Sequence, residues 1–304
     1  METVTQNNEQ RIEPPERIGI LAGWGSYPAV VAKSLTQQGC KVFCLGVIGH
    51  AKDELSDVCE DFQWVGLAKF GRAIRYFKRH GVTDVMMLGK IHKRVLFQPW
   101  SLAKHLPDLK SVGIFWPHFV SRSEDCKDDT LLLAVVKAFA EEGIRFGSPT
   151  DYVPELLVEE GLITDAEPSN WQWKDIEFGW NVAKEMGRLD IGQSVVVKDQ
   201  AVMAVEAIEG TDQCILRAGT LCPSGGFSVV KVAKPQQDMR FDVPTIGMST
   251  LKTMRISGGR VLAIEAKRTI ILEEPEVIEF ANQNKIIIVA LNEATSRMKT
   301  YAAA

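Results

Sequence analysis

Ile18-Gly19-Ile20-Leu21-Ala22 is an apolar run of strand length that stops at the turn Gly23-Trp24-Gly25-Ser26-Tyr27-Pro28, and a helical stretch over about 29–38 follows. Strand, glycine turn, helix is the opening of a nucleotide-binding unit. The pattern continues, and that limits the fold. Strand-sized runs recur at 41–47, near Phe62-Gln63-Trp64-Val65 and at Asp84-Val85-Met86-Met87-Leu88-Gly89. Between the last two, a helix over 69–80 sets Phe70, Ile74 and Phe77 on one face and stops at Gly81. Strands alternating with helices across short connections predict a parallel sheet covered on both faces, so the class is α/β with an N-terminal Rossmann-like domain.

From Lys90 to His118 the pattern loosens into Val95-Leu96-Phe97-Gln98-Pro99-Trp100 and Val112-Gly113-Ile114-Phe115-Trp116-Pro117. Trp100, Phe115 and Trp116 read first as core or interface, although an apolar stretch outside regular elements is also how an acyl-chain cavity would read. A helix resumes at Asp128 with Leu131, Leu132, Val135, Val136 and Phe139 on one face, and Ile144-Arg145-Phe146 is the last strand of this domain. The expected organisation is a disordered tail over 1–15, the Rossmann-like domain over 16–150, an acidic, proline-punctuated linker over 151–170 and a second α/β domain over 171–304.

The second domain has a different grammar. After a helix over about 171–187, the runs 193–197 and 201–205 make a hairpin around Lys198-Asp199-Gln200. A helix near 211–219, a strand at 227–232, a polar loop, a helix near 248–257, a strand pair within 261–272, a helix over 275–283 and a strand over 285–291 complete it.

Composition removes several functions. Lys plus Arg total 35 against 39 Asp plus Glu, a net charge of −4, which supports no general electrostatic grip on nucleic acid. The cysteines at 40, 44, 59, 126, 214 and 222 form no C-x-x-C pair, so structural zinc is not expected; Cys40 and Cys44 read as buried free thiols of a reducing compartment. The histidines at 50, 80, 92, 105 and 118 form no H-x-H or H-E-x-x-H pair, and no G-x-S-x-G elbow exists. The polar, acidic first residues are not a signal peptide, and no run approaches the roughly 18–20 apolar residues that span a bilayer. A soluble, cytoplasmic chain that could meet a membrane at its surface is expected.

Two places could carry chemistry. The glycine turn, with Gly23, Gly25 and Ser26, could bring backbone N–H groups to a phosphate, but Pro28 stands where a third glycine is usual and no acid follows at 44–47 to hold a ribose. A dinucleotide dehydrogenase is disfavoured, and a ligand-free tight turn is an equal reading. The denser signal is Glu206-Ala207-Ile208-Glu209-Gly210-Thr211-Asp212 after one strand and the 231–247 segment after another. Asp238 and Asp242 could offer hard oxygens to Mg²⁺ while Lys231, Lys234 and Arg240 face phosphate oxygens. A solvated loop with surface ion pairs is the bland alternative.

Glu209-Gly210-Thr211-Asp212, Gly225-Gly226, Lys231-Val232-Ala233-Lys234-Pro235 and Gln237-Asp238-Met239-Arg240-Phe241-Asp242-Val243-Pro244-Thr245-Ile246-Gly247 resemble the UDP-2,3-diacylglucosamine pyrophosphatases of the LpxI type. The Ile20-to-Pro28 turn, Leu88-Gly89-Lys90 and the Asp128-Asp129-x-Leu131-Leu132 helix start extend the resemblance over nearly the whole chain, while Ala266-Lys267-Arg268 replaces a more usual glycine-containing turn. The resemblance implies a hydrolase of lipid A biosynthesis, dependent on Mg²⁺ or Mn²⁺, that cuts this lipid-linked nucleotide sugar to 2,3-diacylglucosamine 1-phosphate and UMP. Water would attack the phosphorus on the sugar side. It further implies a homodimer, peripheral at the inner membrane, with a catalytic C-terminal domain. Asp242, Lys231 and Arg240 are then the expected catalytic residues, and Asp212, Asp238 and Asp242 the metal ligands. Gly23, Gly25, Ser26, Lys90, Gly210, Thr211, Lys234 and Thr245 would bind substrate. A noncatalytic nucleotide- or lipid-binding sensor is the rival.

Overall fold

The computed structural model describes residues 12–91, 106–119 and 128–296. The 95–100 stretch with Trp100, and also His92, His105 and Cys126, lie outside them. The chain divides into two compact units, Met1–Pro154 and Glu155–Ala304.

In the first unit, β1 (Arg17–Ala22), β2 (Lys41–Val47), β3 (Asp61–Val65), β4 (Asp84–Leu88) and β5 (Arg145–Phe146) form a parallel sheet in the order β3-β2-β1-β4-β5. The alternation of apolar runs and helices therefore gives the expected Rossmann-like sheet. Helices α1 (Tyr27–Gln37) and α2 (Phe70–Arg79) fall where periodicity placed them. The chain reverses its direction of travel between β1 and β4, the place where open α/β sheets bind ligands.

The structure departs from expectation at 109–119, which is a helix, α3 (Leu109–Phe119), despite Gly113 and Pro117. Its start is fixed by Asp108, whose carboxylate accepts from the Ser111 N–H at 2.9 Å and from the Arg72 N–H at 3.0 Å. One acid thus serves the first turns of α3 and α2 together. Phe115 packs edge-on against Phe70 at 5.8 Å, whereas Trp116 is half exposed. Then α4 (Asp128–Ala140) leads to β5 and the short α5 (Pro149–Tyr152).

The second unit holds a six-stranded mixed sheet. Its strands are β6 (Gly161–Leu162), β7 (Ser194–Lys198), β8 (Ala201–Val205), β9 (Ser228–Lys231), β11 (Val261–Glu265) and β13 (Ile287–Leu291), ordered β6-β13-β11-β9-β7-β8. The hairpin β7–β8 turns at Asp199 and Gln200, both at positive φ. Asp175, on α6 (Asn170–Arg188), steadies that turn by accepting both of its N–H groups.

The strand pair expected within 261–272 is a correction: β11 lies in the large sheet between β9 and β13, while β12 (Ile270–Ile271) pairs in parallel with β10 (Thr245–Ile246). The chain leaves β11 at the Ala266-Lys267-Arg268 turn, where Lys267 takes a left-handed φ of 57° that glycine would adopt without strain.

Strand parity builds the core. Val195, Val197, Val230, Val232, Val261, Ala263, Ile287 and Val289 pack on α6, against Trp173, Ile176 and Trp180. Their alternates Val196, Val229, Leu262, Ile264, Ile288 and Ala290 pack on α7 (Thr211–Leu221), α8 (Met248–Ser257) and α9 (Glu274–Gln283). Among the described residues Cys40, Cys44, Cys214 and Cys222 are buried free thiols, and no helix is long and apolar enough to cross a membrane.

Candidate active site

The same parity decides where the charged strand ends point. Lys231 closes β9 in register with Val229, so it faces α7 and α8; Glu265 closes β11 in register with Ala263, so it faces α6.

On the α7 side, Lys231 is 5% exposed and its Nζ donates to the Thr211 hydroxyl at 2.8 Å. Thr211 is the first residue of α7, behind an N-cap, Gly210, whose φ of +83° favours glycine. Asp212 accepts from the Ser249 hydroxyl at 2.5 Å and from the Thr250 hydroxyl at 3.0 Å, which ties the start of α7 to the start of α8. The N-cap of α8 is Gly247. Both helices therefore begin on a glycine with no side-chain cap, leaving first-turn N–H groups for an anion, with the helix dipoles favouring negative charge there. Buried cation, hard carboxylate and two uncapped N-termini stand together at the carboxyl end of β9.

On the α6 side, Lys184 Nζ meets the two carboxylate oxygens of Glu265 at 2.8 and 2.7 Å, and Glu265 accepts from the Ala233 N–H at 2.7 Å. This pair pins the first residue of the 233–244 loop. Within the loop Arg240 grips Asp238 through Nε and a terminal nitrogen, at 2.9 and 2.6 Å, and holds that carboxyl below the usual carboxylate range. Gln237 donates to the exposed Asp242 carboxylate at 2.6 Å, and Lys234 pairs with Asp190 at 2.6 Å. Thr245, on β10, donates to the Val243 carbonyl at 2.9 Å.

The structure therefore gathers Gly210, Thr211, Asp212 and Lys231, whereas Asp238, Arg240 and Asp242 hold partners within their own loop. Among the described residues no group of three or more His, Cys, Asp or Glu side chains is placed to share an ion. Magnesium commonly takes only one or two protein carboxylates and completes its shell with water and phosphate, and Asp212 flanked by two hydroxyls is a hard-oxygen set of that kind. Sequence reasoning passed over Ser249, Thr250, Lys184 and Glu265. Only Glu265 left a signal, as a charge ending the apolar run Val261-Leu262-Ala263-Ile264.

In the first unit, Gly23, Gly25, Ser26 and Lys90 meet at the exits of β1 and β4. The Gly23 N–H donates to the Leu88 carbonyl at 2.7 Å and the Trp24 N–H to the Lys90 carbonyl at 2.8 Å. A Cβ on Gly23 would stand 2.8 Å from the Lys90 carbonyl oxygen. Gly23 thus serves close approach of two strand exits, and its N–H is spent on the protein. Any phosphate here would have to use the N–H groups from Gly25 onward, at the start of α1.

Two family matches cover the chain. The LpxI N-terminal domain matches residues 17–156 and the LpxI C-terminal domain residues 159–289. The UDP-2,3-diacylglucosamine pyrophosphatase LpxI of Caulobacter vibrioides is 26% identical over 283 residues, covering 91% of this chain and 98% of that protein. Among solved structures, Bordetella bronchiseptica WbmG in complex with NAD and UDP aligns with 42% of this chain and 34% of its own, at 16% identity and a TM-score of 0.27. The biotin carboxylase domain of Hydrogenobacter thermophilus 2-oxoglutarate carboxylase aligns with 69% of this chain and 41% of its own, at 10% identity and a TM-score of 0.24. Those scores carry no argument about function. With both halves matched in order and nearly end to end, the chain belongs to the LpxI family.

Proposed function

We propose that this protein hydrolyses the pyrophosphate of UDP-2,3-diacylglucosamine to 2,3-diacylglucosamine 1-phosphate and UMP, as a step of lipid A biosynthesis. The observation that carries this reading is the buried Lys231 ammonium beside Thr211 and Asp212 at two uncapped helix starts. A pyrophosphate diester is anionic, and its cleavage builds further charge on the bridging and leaving oxygens. Lys231 and the first-turn N–H groups of α7 and α8 are preorganised to meet that charge. Arg240 and Lys234 belong to the loop that follows and would close on the same phosphates.

Asp212 would hold Mg²⁺ or Mn²⁺ with water and phosphate oxygens completing the shell, and the ion when bound neutralises phosphate oxygens and acidifies water. Asp242 is the acid we assign to ordering the attacking water, since its carboxylate is exposed and held by a neutral amide rather than by a cation. A homodimer working at the inner membrane surface belongs to the same reading.

The test is direct. Purified protein with UDP-2,3-diacylglucosamine and Mg²⁺ should release UMP, lose that activity in excess EDTA and regain it with Mg²⁺ or Mn²⁺. In ¹⁸O water the label should enter the sugar 1-phosphate. Folded protein that binds the nucleotide and releases no UMP would replace the hydrolase by a sensor, and label in UMP would move the attack to the other phosphorus.

A further inference from the structure

Glu206 follows β8 and has no part in the proposal above. Its N–H donates to the Ser194 carbonyl at 2.9 Å, which fixes its backbone beside the start of β7. Its side chain is turned inward, with the residue 7% exposed. One carboxylate oxygen accepts from the Thr211 hydroxyl at 3.0 Å; the other, fully buried, has no hydrogen-bond partner among the described residues.

The proton count around Thr211 is determined by chemistry. A carboxylate only accepts, so the single Thr211 proton points to Glu206. An ammonium only donates, so a Thr211 lone pair receives Lys231 at 2.8 Å. Ser194, 3.3 Å away, must then donate as well if it bonds. The Thr211 side chain is fully committed to protein groups, and what Thr211 can offer a substrate is its N–H. The line from Glu206 through one hydroxyl to Lys231 joins a buried anion to a buried cation that would each be costly alone.

We infer that Glu206 is a positioning residue for the reaction: through the Thr211 hydroxyl it fixes the Lys231 ammonium against the start of α7, where the pyrophosphate is bound. This rests on the hydrolase reading. Removing the Glu206 charge takes a counter-charge from Lys231, and removing its accepting oxygen as well would free Thr211 to rotate. The loss falls on the step in which phosphate charge grows, while substrate binding, spread over the nucleotide and the acyl chains, is little changed.

A four-protein comparison tests it, using wild type, Glu206→Gln, Lys231→Ala and the double variant. Glu206→Gln should lower kcat by roughly 10- to 100-fold, leave KM within about threefold and keep the thermal midpoint within a few degrees. Because Glu206 acts through Lys231, the double variant should match Lys231→Ala within about twofold instead of multiplying the two losses. A Glu206→Gln enzyme keeping more than half of wild-type kcat, or losses that multiply, would overturn the assignment. If Glu206→Gln does not fold, Thr211→Val cuts the same line at its middle and is judged by the same criteria. If wild type releases no UMP, the hydrolase reading fails separately. The same proteins are then titrated with UDP, where affinity losses that do not multiply uphold the link from Glu206 to Lys231, and multiplying or absent losses overturn it.

Discussion

Lys184→Met removes one partner of the ion pair that anchors the site loop. In the native protein the Lys184 ammonium touches both Glu265 oxygens, at 2.8 and 2.7 Å, and the Ala233 carbonyl at 3.2 Å, and lies over the Trp180 ring, 5.6 Å from its centroid. The Glu265 side chain is 10% exposed and that of Lys184 22%. Methionine keeps the apolar stem and leaves the Glu265 carboxylate in place with the Ala233 N–H as its remaining donor. Breaking a buried pair from one side costs about 3–5 kcal/mol. The partial exposure of Lys184 lets water reach the gap, so the low end, about 3 kcal/mol, is expected. For a unit of this size that is a fall of roughly 6–12 °C in the midpoint of the second unit, read by scanning calorimetry. Adding Glu265→Gln removes the stranded charge while an amide oxygen still accepts from Ala233, and should recover most of the loss. Turnover assayed well below the midpoint should fall in Lys184→Met too, because the loop carrying Lys234, Asp238, Arg240 and Asp242 starts at the pinned residue. A shift under about 2 °C, or a double variant no better than the single, would refute the claim that this pair is desolvated and anchors the loop.

Gly89→Ala should destabilise the first unit by about 1–3 kcal/mol, because Gly89 has a φ of +86° and a Cβ there would stand 2.7 Å from the Trp24 carbonyl oxygen. Gly113→Ala, inside α3 with open space around it, should instead stabilise by about 0.5–1 kcal/mol; calorimetry separates the two. Burial pushes the Asp84 carboxyl up, but donation from Arg145, Thr83 and Tyr152 outweighs it and leaves that carboxyl below its ordinary range. A depressed folded-state value means stability present above the unfolded value, about 3.9, and lost as pH falls through the folded one. Asp84→Asn should therefore lower the midpoint at pH 7, with the gap to wild type closing as pH drops below about 4. Asp242→Ala should slow UMP release at least roughly 100-fold with a midpoint near wild type, since the carboxylate is exposed; a variant keeping a tenth of wild-type turnover would move that role to Asp212 or Asp238.

What was legible in the chain follows from the range of the interactions. Local periodicity located β1 to β4, the β7–β8 hairpin and helices α6 to α9, since each is written in neighbouring residues. It failed at α3, where Gly113 and Pro117 argue against a helix and the deciding residue, Asp108, works through a contact to Arg72 far back in the chain. It failed again at 261–272, where two adjacent apolar runs suggested a pair and the left-handed Lys267 turn sends them to different sheets. In the site, Asp238 and Arg240 were visible because their charges crowd one loop, yet much of that charge is spent on each other. The Lys184–Glu265 contact spans 81 positions and had no local signature.

Parity and strand order together explain how one sheet edge supports both an anchor and a reactive centre. Lys231 and Glu265 end adjacent parallel strands, and opposite charges so placed would be expected to neutralise each other. They do not, because β9 and β11 present their last residues to opposite faces, as the alternation of Val229, Val230, Leu262 and Ala263 requires. Glu265 takes its cation from α6 and becomes a fixed post for the loop. Lys231 is joined through the Thr211 hydroxyl to Glu206, at the mouth of two helices whose first turns are uncapped. Reversing either side chain by a one-residue register slip would join the two charges across the sheet edge and remove both the anchor and the anion site.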